Sequence, residues 1–416
     1  MLLATLPLLL EAMPNRALAL LRTRLIPCTL SLAAASAGAQ PSRMSPEMLA
    51  EIQKFAAMQA MIGTDYVREV DSVSVMNSCM KGMVAGLDAQ SVYFDAEAFE
   101  EFRNGGTTGE VGIGVELTLR AGLPSITTAI DGSAAQRAGL TPKDYILEVD
   151  GHSMEESTLE EAVKRLRGAP GSSVDLLIRR PGEAVNRSLR ITRELTRMKP
   201  VSASRAFGNV GYIKLSGFTD QSAPALRAAF KALPSSKSMK GLVLDLRNSP
   251  GGLLTATIEI AAMFLPEGAP VVSLEGRLPE SNQSIRADRQ EILRNRNAIN
   301  EPWPEAMRSV PMVVLVNAGT ASGAEIVAGA LQDNGRAKLV GGKTFGRGSI
   351  QTVRQLTANT AIKLTTAIYK TPKGHVLQNK GLVPDVQAVD PDRYDDRATA
   401  QDAGLKQALV MLSAQP

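Results

Sequence analysis

Met312-Val313-Val314-Leu315-Val316-Asn317-Ala318-Gly319-Thr320-Ala321-Ser322-Gly323-Ala324-Glu325 joins five consecutive apolar residues to a string of small ones. The apolar run is short enough to be a buried strand. Ile326, Val327, Ala330 and Leu331 then follow helical spacing. The small residues therefore fall at a strand-to-helix turn. A Ser in such a turn has its hydroxyl exposed beside the free N–H groups of the helix start. Those donors suit a developing oxyanion. Small residues before a helix are more often a simple cap, so the run alone leaves both readings open.

The same alternation extends in both directions. Gly211 to Leu215 and Leu242 to Leu246 read as strands, and Ile362 to Tyr369 as a late one. Leu226, Ala229, Phe230 and Leu233 mark one helix, and Leu254, Ile258, Ala261 and Leu265 another. Strands alternating with helices from 210 onward predict an α/β core. Two further pieces could join Ser322. One is the turn Asn248-Ser249-Pro250-Gly251-Gly252, whose backbone amides could face an oxyanion. The other is Gly346-Arg347-Gly348-Ser349-Ile350-Gln351. Residues 277–309 are polar and weakly periodic, which predicts a long mobile insertion beside the cleft.

Residues 98–182 have a different texture. Val111 to Leu117, Ser125 to Ile130, Tyr145 to Val149 and Val174 to Ile178 are β-like runs, and Asp150-Gly151 is a hairpin signal. Leu159 to Leu166 reads as a helix. Residues 45–95 read as two helices, carrying Met48, Leu49, Ile52, Phe55 and Ala56 on one and Met76, Cys79, Met80, Met83, Val84 and Leu87 on the other. Ser45-Pro46 fits the first helix start. The Met stripe predicts helix or subunit packing rather than a ligand site.

The 416 residues hold 44% apolar and 21% charged residues, globular values that exclude a mostly disordered chain. Aromatics at 4% and a net charge of +4 argue against a nucleic-acid partner. His152 and His375 lack ligand spacing, so no metal is expected. Neither lies near the Ser322 turn in sequence, so a Ser–His–Asp triad is not expected and a nucleophilic Ser would need another base. Residues 1–39 read as an export signal. Arg16, Arg22 and Arg24 precede an apolar stretch, and Ala37-Gly38-Ala39 offers a cleavage site. Met13 is a second candidate start. Cleavage removes Cys28 and leaves Cys79 as a buried, inert thiol.

Gly241 to Leu254 (GLVLDLRNSPGGLL), Pro311 to Gln351 and Thr365 to Gly374 (TTAIYKTPKG) resemble the C-terminal-processing, tail-specific serine peptidases. Gly112 to Arg180 resembles that family's PDZ domain, and Asp65-Tyr66-Val67 fits its helical start. The resemblance implies a crotonase/ClpP-like α/β peptidase core with an inserted β-rich PDZ domain. The implied organisation is a signal peptide (1–39), N-terminal helical region (40–97), PDZ domain (98–182), peptidase core (183–392) and C-terminal tail (393–416). It implies catalytic Ser322 and Gln351, with Arg347 where the family has its Lys. Backbone groups of Gly251, Gly252 and Gly323 would form the oxyanion hole. Gly112, Ile113, Gly114, Val115 and Leu117 would hold the peptide, which adds as a strand. No cofactor is implied. Protein C-terminal tails are the implied substrates. An adaptor protein is a further implied partner. The Met stripe points to homo-oligomers formed through the N-terminal helices, and the export signal to a periplasmic or other extracytoplasmic location, membrane-associated if the signal stays uncleaved.

Arg347 is the departure that matters. Lowering a Lys from near 10.4 to roughly 7–8, as a general base requires, costs about 4 kcal/mol, which burial can supply. An Arg starts well above the Lys range and stays protonated. Lys343 is the nearest other amine in that loop. Two readings follow: a serine endopeptidase that works despite Arg347, and a pseudo-peptidase that binds tails without cutting them. An acyl-CoA enzyme on the same core fits neither the export signal nor the PDZ-like region.

Overall fold

The computed structural model describes residues 45–104, 110–196, 198–233, 239–290, 292, 303–388 and 402–414. The expected signal and its cleavage site lie outside these residues, as do parts of the expected insertion and tail. The chain divides into Met1–Met76 and Asn77–Pro416.

In the first unit, α1 (Pro46–Asp65) starts as its sequence predicts. Ser45 accepts a hydrogen bond from Met48 N, and Pro46 takes the first helical position. No residue of α1 is buried, and Met48, Leu49 and Ile52 are exposed. Helix α2 (Ser72–Ala85) crosses the boundary between the units. Its buried residue is Val84. Cys79 is half-buried rather than buried, and Met83 is exposed, so the stripe is only partly covered.

Past α2 the second unit continues with β1 (Val92–Phe94) and α3 (Ala96–Asn104). The expected strand Val111–Leu117 is two strands, β2 (Glu110–Gly112) and β3 (Val115–Arg120). Gly114 lies between them at φ +79°, a left-handed conformation that suits glycine. There follow β4 (Leu123–Ala129), α4 (Ala134–Arg137), β5 (Tyr145–Val149), β6 (His152–Ser153), α5 (Leu159–Leu166), β7 (Ser173–Arg179) and β8 (Arg187–Thr192). Strands β3-β4-β5-β7-β8 form one antiparallel sheet, with β6 paired to β5. Asp150 and Gly151 both have positive φ, as the β5–β6 hairpin requires. Ile126, Ile146, Met154, Val174 and Ile178 pack beneath α5 in a core of their own. The sheet continues to β8, past the expected boundary at 182.

Strand β9 (Glu194–Thr196) pairs with β2 and leads into the α/β core. In chain order the core holds β10 (Val201–Phe207), β11 (Val210–Leu215), α6 (Ser222–Ala232), β12 (Gly241–Asp245), α7 (Leu254–Phe264), β13 (Pro270–Gly276), β14 (Gln283–Arg286), α8 (Ala306–Ser309), β15 (Met312–Val316), α9 (Gly323–Asp333), β16 (Lys338–Gly341), β17 (Ser349–Gln355), β18 (Ala361–Lys370), β19 (Val386–Gln387) and α10 (Ala403–Ser413). The main sheet runs β10-β11-β12-β15-β16-β19, parallel throughout except for β10. Side chains alternate across its faces. Leu242, Leu244, Val314 and Leu339 meet the helices α6, α7 and α9. Val243, Val313, Leu315 and Val340 meet Leu405, Ala408 and Leu412 of α10. Burial on both faces explains why these strands are continuously apolar. A second sheet, β1-β18-β13-β14 with β17 on β18, carries the Arg347 loop at the start of β17.

Two expectations need correction in the described residues. Within 277–309, Gln283–Arg286 pairs with β13, while Trp303 and Met307 are buried in the main core. Residues 403–413 of the expected tail form a docked helix.

Candidate active site

Strands β12 and β15 are parallel neighbours, so the turns that follow them emerge side by side. The ends of parallel strands are where α/β sheets place their sites. Here the two turns are stitched together. Asn248 N donates to Asn317 Oδ1 (3.0 Å), and Asn317 Nδ2 donates to Asn248 Oδ1 (2.9 Å). Thr320 Oγ1 donates to Leu246 O (2.9 Å), and Ala321 N donates to Ser249 O (2.9 Å).

The two glycines are there because nothing larger fits. Gly251 has φ +90°, and a Cβ on it would lie 2.5 Å from Gly323 N and 2.9 Å from Ser322 Cβ. Gly252 has φ +148°, and a Cβ there would overlap the Phe218 carbonyl oxygen. Phe218 holds this turn from outside: its N–H donates to Gly251 O (3.1 Å), and its carbonyl accepts from Leu253 N (2.7 Å). The backbone of Gly251 is thus pressed against Ser322 and Gly323, which the sequence placed some 70 residues later.

Ser322 precedes α9 with φ +51° and ψ −119°, a conformation that glycine favours. Such strain persists only where the surroundings impose it. Glu325 is one residue that holds it. Its fully buried carboxylate accepts from Ser322 N (3.0 Å), Gly346 N (2.8 Å), Arg347 N (2.9 Å) and the Thr344 hydroxyl. Burial pushes its carboxyl above the ordinary range, against the pull of those donors. Glu325 therefore ties the Ser322 turn to the Thr344–Arg347 loop.

Arg347 joins the site through its backbone and leaves it through its side chain. Its Nη1 pairs with Glu116 Oε2 (3.1 Å), and its Nη2 donates to Thr127 Oγ1 (2.7 Å) and Leu117 O (3.4 Å). These partners lie on β3 and β4. Arg120 of β3 in turn lies over the Phe345 ring, 4.3 Å from its centroid. Thr128 Oγ1 donates to Asn248 O (3.0 Å), which brings β4 against the glycine turn. Gln351 donates to Ser349 Oγ (3.0 Å) and Thr365 Oγ1 (3.4 Å), partners in its own sheet rather than Ser322. Lys363 on β18 is half-buried, and burial plus the Arg347 charge lower its pKa. Lys343, His152 and His375 are exposed.

A cavity of about 190 Å³ opens between β3 and α5. Gly112, Ile113, Gly114, Val115 and Leu117 all line it, together with Leu166 of α5. The structure thus gathers the five residues read from the sequence into one groove. It also adds Arg167, Thr196 and Met198, which the sequence reading missed because they belong to other elements. Glu325 was missed too, although its position three residues after Ser322 is a capping-box spacing. Asp131 of this region forms a buried ion pair with Lys214 of β11 (2.8 Å), fastening the two sheets' domains together. Among the described residues no cluster of His, Cys, Asp and Glu could hold a metal, and no helix is long and apolar enough to cross a membrane.

Residues 209–388 match the family model for Peptidase family S41, and residues 125–180 match a PDZ domain. A carboxy-terminal-processing protease of Bartonella bacilliformis is 36% identical over 345 residues, covering 82% of this chain and 76% of that one. A "Probable CtpA-like serine protease" of Staphylococcus epidermidis is 32% identical over 355 residues, covering 85% of this chain and 68% of its own. Among solved structures, the photosystem II D1 C-terminal processing protease superposes with a TM-score of 0.67 at 27% identity, covering 87% of this chain and 91% of that one. With its inserted PDZ domain and these relatives, the chain belongs to peptidase family S41, among the carboxy-terminal-processing serine peptidases.

Proposed function

We propose that this chain is a serine endopeptidase that takes protein C-terminal tails in its PDZ groove and cuts them with Ser322, at a rate restrained by Arg347. The observation that carries the reading is the strained Ser322 turn, pressed against Gly251 and clamped by Glu325. The Ser322 oxygen would attack the scissile carbonyl, and the N–H groups of Gly323, Gly251 and Gly252 would receive the resulting oxyanion. The Ile113-Gly114-Val115 amides would hold the tail carboxylate, and the peptide would add as a strand along β3. The Ser322 proton would pass to water, with Gln351 supporting that transfer, and the leaving amine would take up a proton from water as the acyl–nitrogen bond breaks. Arg347, always a cation, would orient groups or neutralise charge rather than accept that proton.

The ion pair between Arg347 and Glu116 favours a second reading, a pseudo-peptidase or adaptor that binds tails without cutting. Hydrolysis of a tail-bearing protein by the purified chain separates the two. Product that disappears in Ser322→Ala supports the peptidase, while tail binding with no product supports the adaptor.

The chain would act outside the cytoplasm after cleavage behind Ala39, and N-terminal sequencing of exported protein would show Gln40 first. A chain still starting at Met1 or Met13 would defeat that. The exposed Met48, Leu49 and Ile52 of α1 support self-association through the N-terminal helices.

A further inference from the structure

Helix α10 lies on the far face of the main sheet, yet its first turn reaches the glycine turn through a chain of buried polar contacts. Asp402 caps the helix, accepting from Leu405 N (3.0 Å). The same carboxylate pairs with both terminal nitrogens of Arg247: Nη1 to Oδ1 at 3.0 Å and Nη2 to Oδ2 at 2.6 Å. Arg247 is itself held by Asp245, to which its backbone N donates (2.9 Å) and its Nε donates (3.0 Å). Tyr212 OH completes the cluster by donating to Asp245 Oδ2 (2.8 Å). All four residues are buried, with Asp402 5% and Arg247 3% exposed. Fork-to-fork pairing of this kind fixes direction as well as distance.

Arg247 is the first residue of the turn that ends at Gly251-Gly252. The next residues, Asn248 and Ser249, make the hydrogen bonds that align this turn with Asn317 and Ala321 beside Ser322. We infer that Asp402 is a positioning residue for the reaction: through Arg247 it sets where the Gly251-Gly252 amides stand relative to Ser322. The C-terminal helix is then part of the catalytic apparatus. This rests on the reading of Ser322 and the glycine turn as the reacting centre.

The test uses the full chain with Asp402→Asn and Asp402→Ser. Asn and Ser cap helices about as well as Asp, so both keep α10 capped while removing the charge that faces Arg247. Hydrogen–deuterium exchange should quicken at 247–253 while β12, β15 and α10 stay protected. Cleavage of a tail-bearing substrate should lose about 10–100-fold in kcat, up to the cost of a misplacement of about 1 Å and below that of a lost oxyanion donor, with KM changed less than about twofold. Wild-type exchange at 247–253 together with wild-type kcat would overturn the inference. So would loss of protection across β12 and α10 together, which would mean that Asp402 only stabilises the fold. If both variants unfold, Asp402→Glu keeps the charge on a longer arm and is read in the same way. If the wild type does not cleave at all, the peptidase reading has failed, and the exchange measurement alone still decides whether Asp402 governs the turn.

Discussion

Arg347 Nη1 stands 3.1 Å from Glu116 Oε2, on the strand that forms one wall of the cavity beside α5. The residue read as standing in place of a Lys thus has its charge engaged by strands β3 and β4. Glu116 is about a third exposed and Arg347 about a fifth, so the pair is partly screened and its strength modest. Its consequence is directional. The guanidinium is drawn toward β3 and β4, with Thr127 as a second acceptor. Backbone and side chain of one residue therefore serve different domains: the Arg347 N–H is held by Glu325 beside Ser322, and the guanidinium by the groove strand.

Replacement of Ser322 should separate catalysis from stability in an informative direction. Ser322→Gly removes the hydroxyl and relieves a conformation worth about 1–3 kcal/mol of strain, against about 0.5–1 kcal/mol of added chain entropy. The variant should be inactive yet more stable by about 1 kcal/mol in urea titration. Ser322→Ala should be equally inactive, with stability within about 0.5 kcal/mol of wild type. Residual cleavage in either variant would remove Ser322 from the mechanism.

The groove should select a free C-terminal carboxylate. Peptides ending in an apolar residue should bind, and their amidated forms should bind at least about tenfold more weakly, because the Ile113–Val115 amides then lose a charged acceptor. Gly114→Ala should abolish the preference. A methyl there would overlap Ser133 Cβ, and φ +79° is costly for alanine. Equal affinity for free and amidated peptides in titration calorimetry would exclude carboxylate capture.

Much of this architecture is legible in the sequence where a local pattern and burial agree. Tyr145–Val149, Leu159–Leu166 and Met312–Val316 fall at the residues their apolar patterns predict. Strands such as Arg187–Thr192 escape because only Leu189 and Ile191 turn inward, an alternation of two residues that is too short to read. Leu405, Ala408 and Leu412 do keep helical spacing, but too few turns follow to distinguish a docked helix from a tail. The site divides along the same line. Ser322, the glycine turn and the groove are local features of single turns. The partners of Arg347 are set by the docking of one domain on another: Glu116 is 231 residues away in sequence. No spacing rule reaches that far.

Glu325 should prove indispensable to rate but not to tail binding. Gln keeps the shape of the carboxylate but places an NH2 group against two of the N–H donors it must accept from. Glu325→Gln should lower kcat at least about tenfold while groove affinity is unchanged. The pH dependence of stability gives an independent check. Burial raises the Glu325 carboxyl in the folded chain above its unfolded value of about 4.3. Its contribution is therefore full below that unfolded value and is lost as pH rises through the folded one. The Gln variant cannot titrate, so the difference in unfolding free energy between wild type and variant should fall with rising pH over that window. A difference that grows with pH would reverse the assigned sign.

Arg347→Lys is the substitution that decides how this chain works. The guanidinium cannot readily take the Ser322 proton, and the absence of a positioned base typically costs about 10²–10⁴-fold in rate. A Lys at 347 keeps the positive charge and most of the stem, and it sits on a backbone that Glu325 already holds beside Ser322. It loses the fork that reaches both Glu116 and Thr127, so its hold on the groove strand should weaken. Its amine has a pKa that burial can lower, and Lys363 in the same neighbourhood shows that direction of shift. Cleavage of a tail-bearing substrate near pH 8 should rise at least about tenfold, the low side of the general-base range. The gain should vanish in the Ser322→Ala, Arg347→Lys double variant. Glu116→Gln, made in the Arg347→Lys background, should raise the rate further if the remaining pull toward β3 keeps the amine from Ser322. A wild type as fast as the Lys variant would mean that another group takes the proton, with Lys343→Ala and Lys363→Ala as the discriminating changes. A Lys variant that binds tails and never cuts them would establish the tail-binding reading instead.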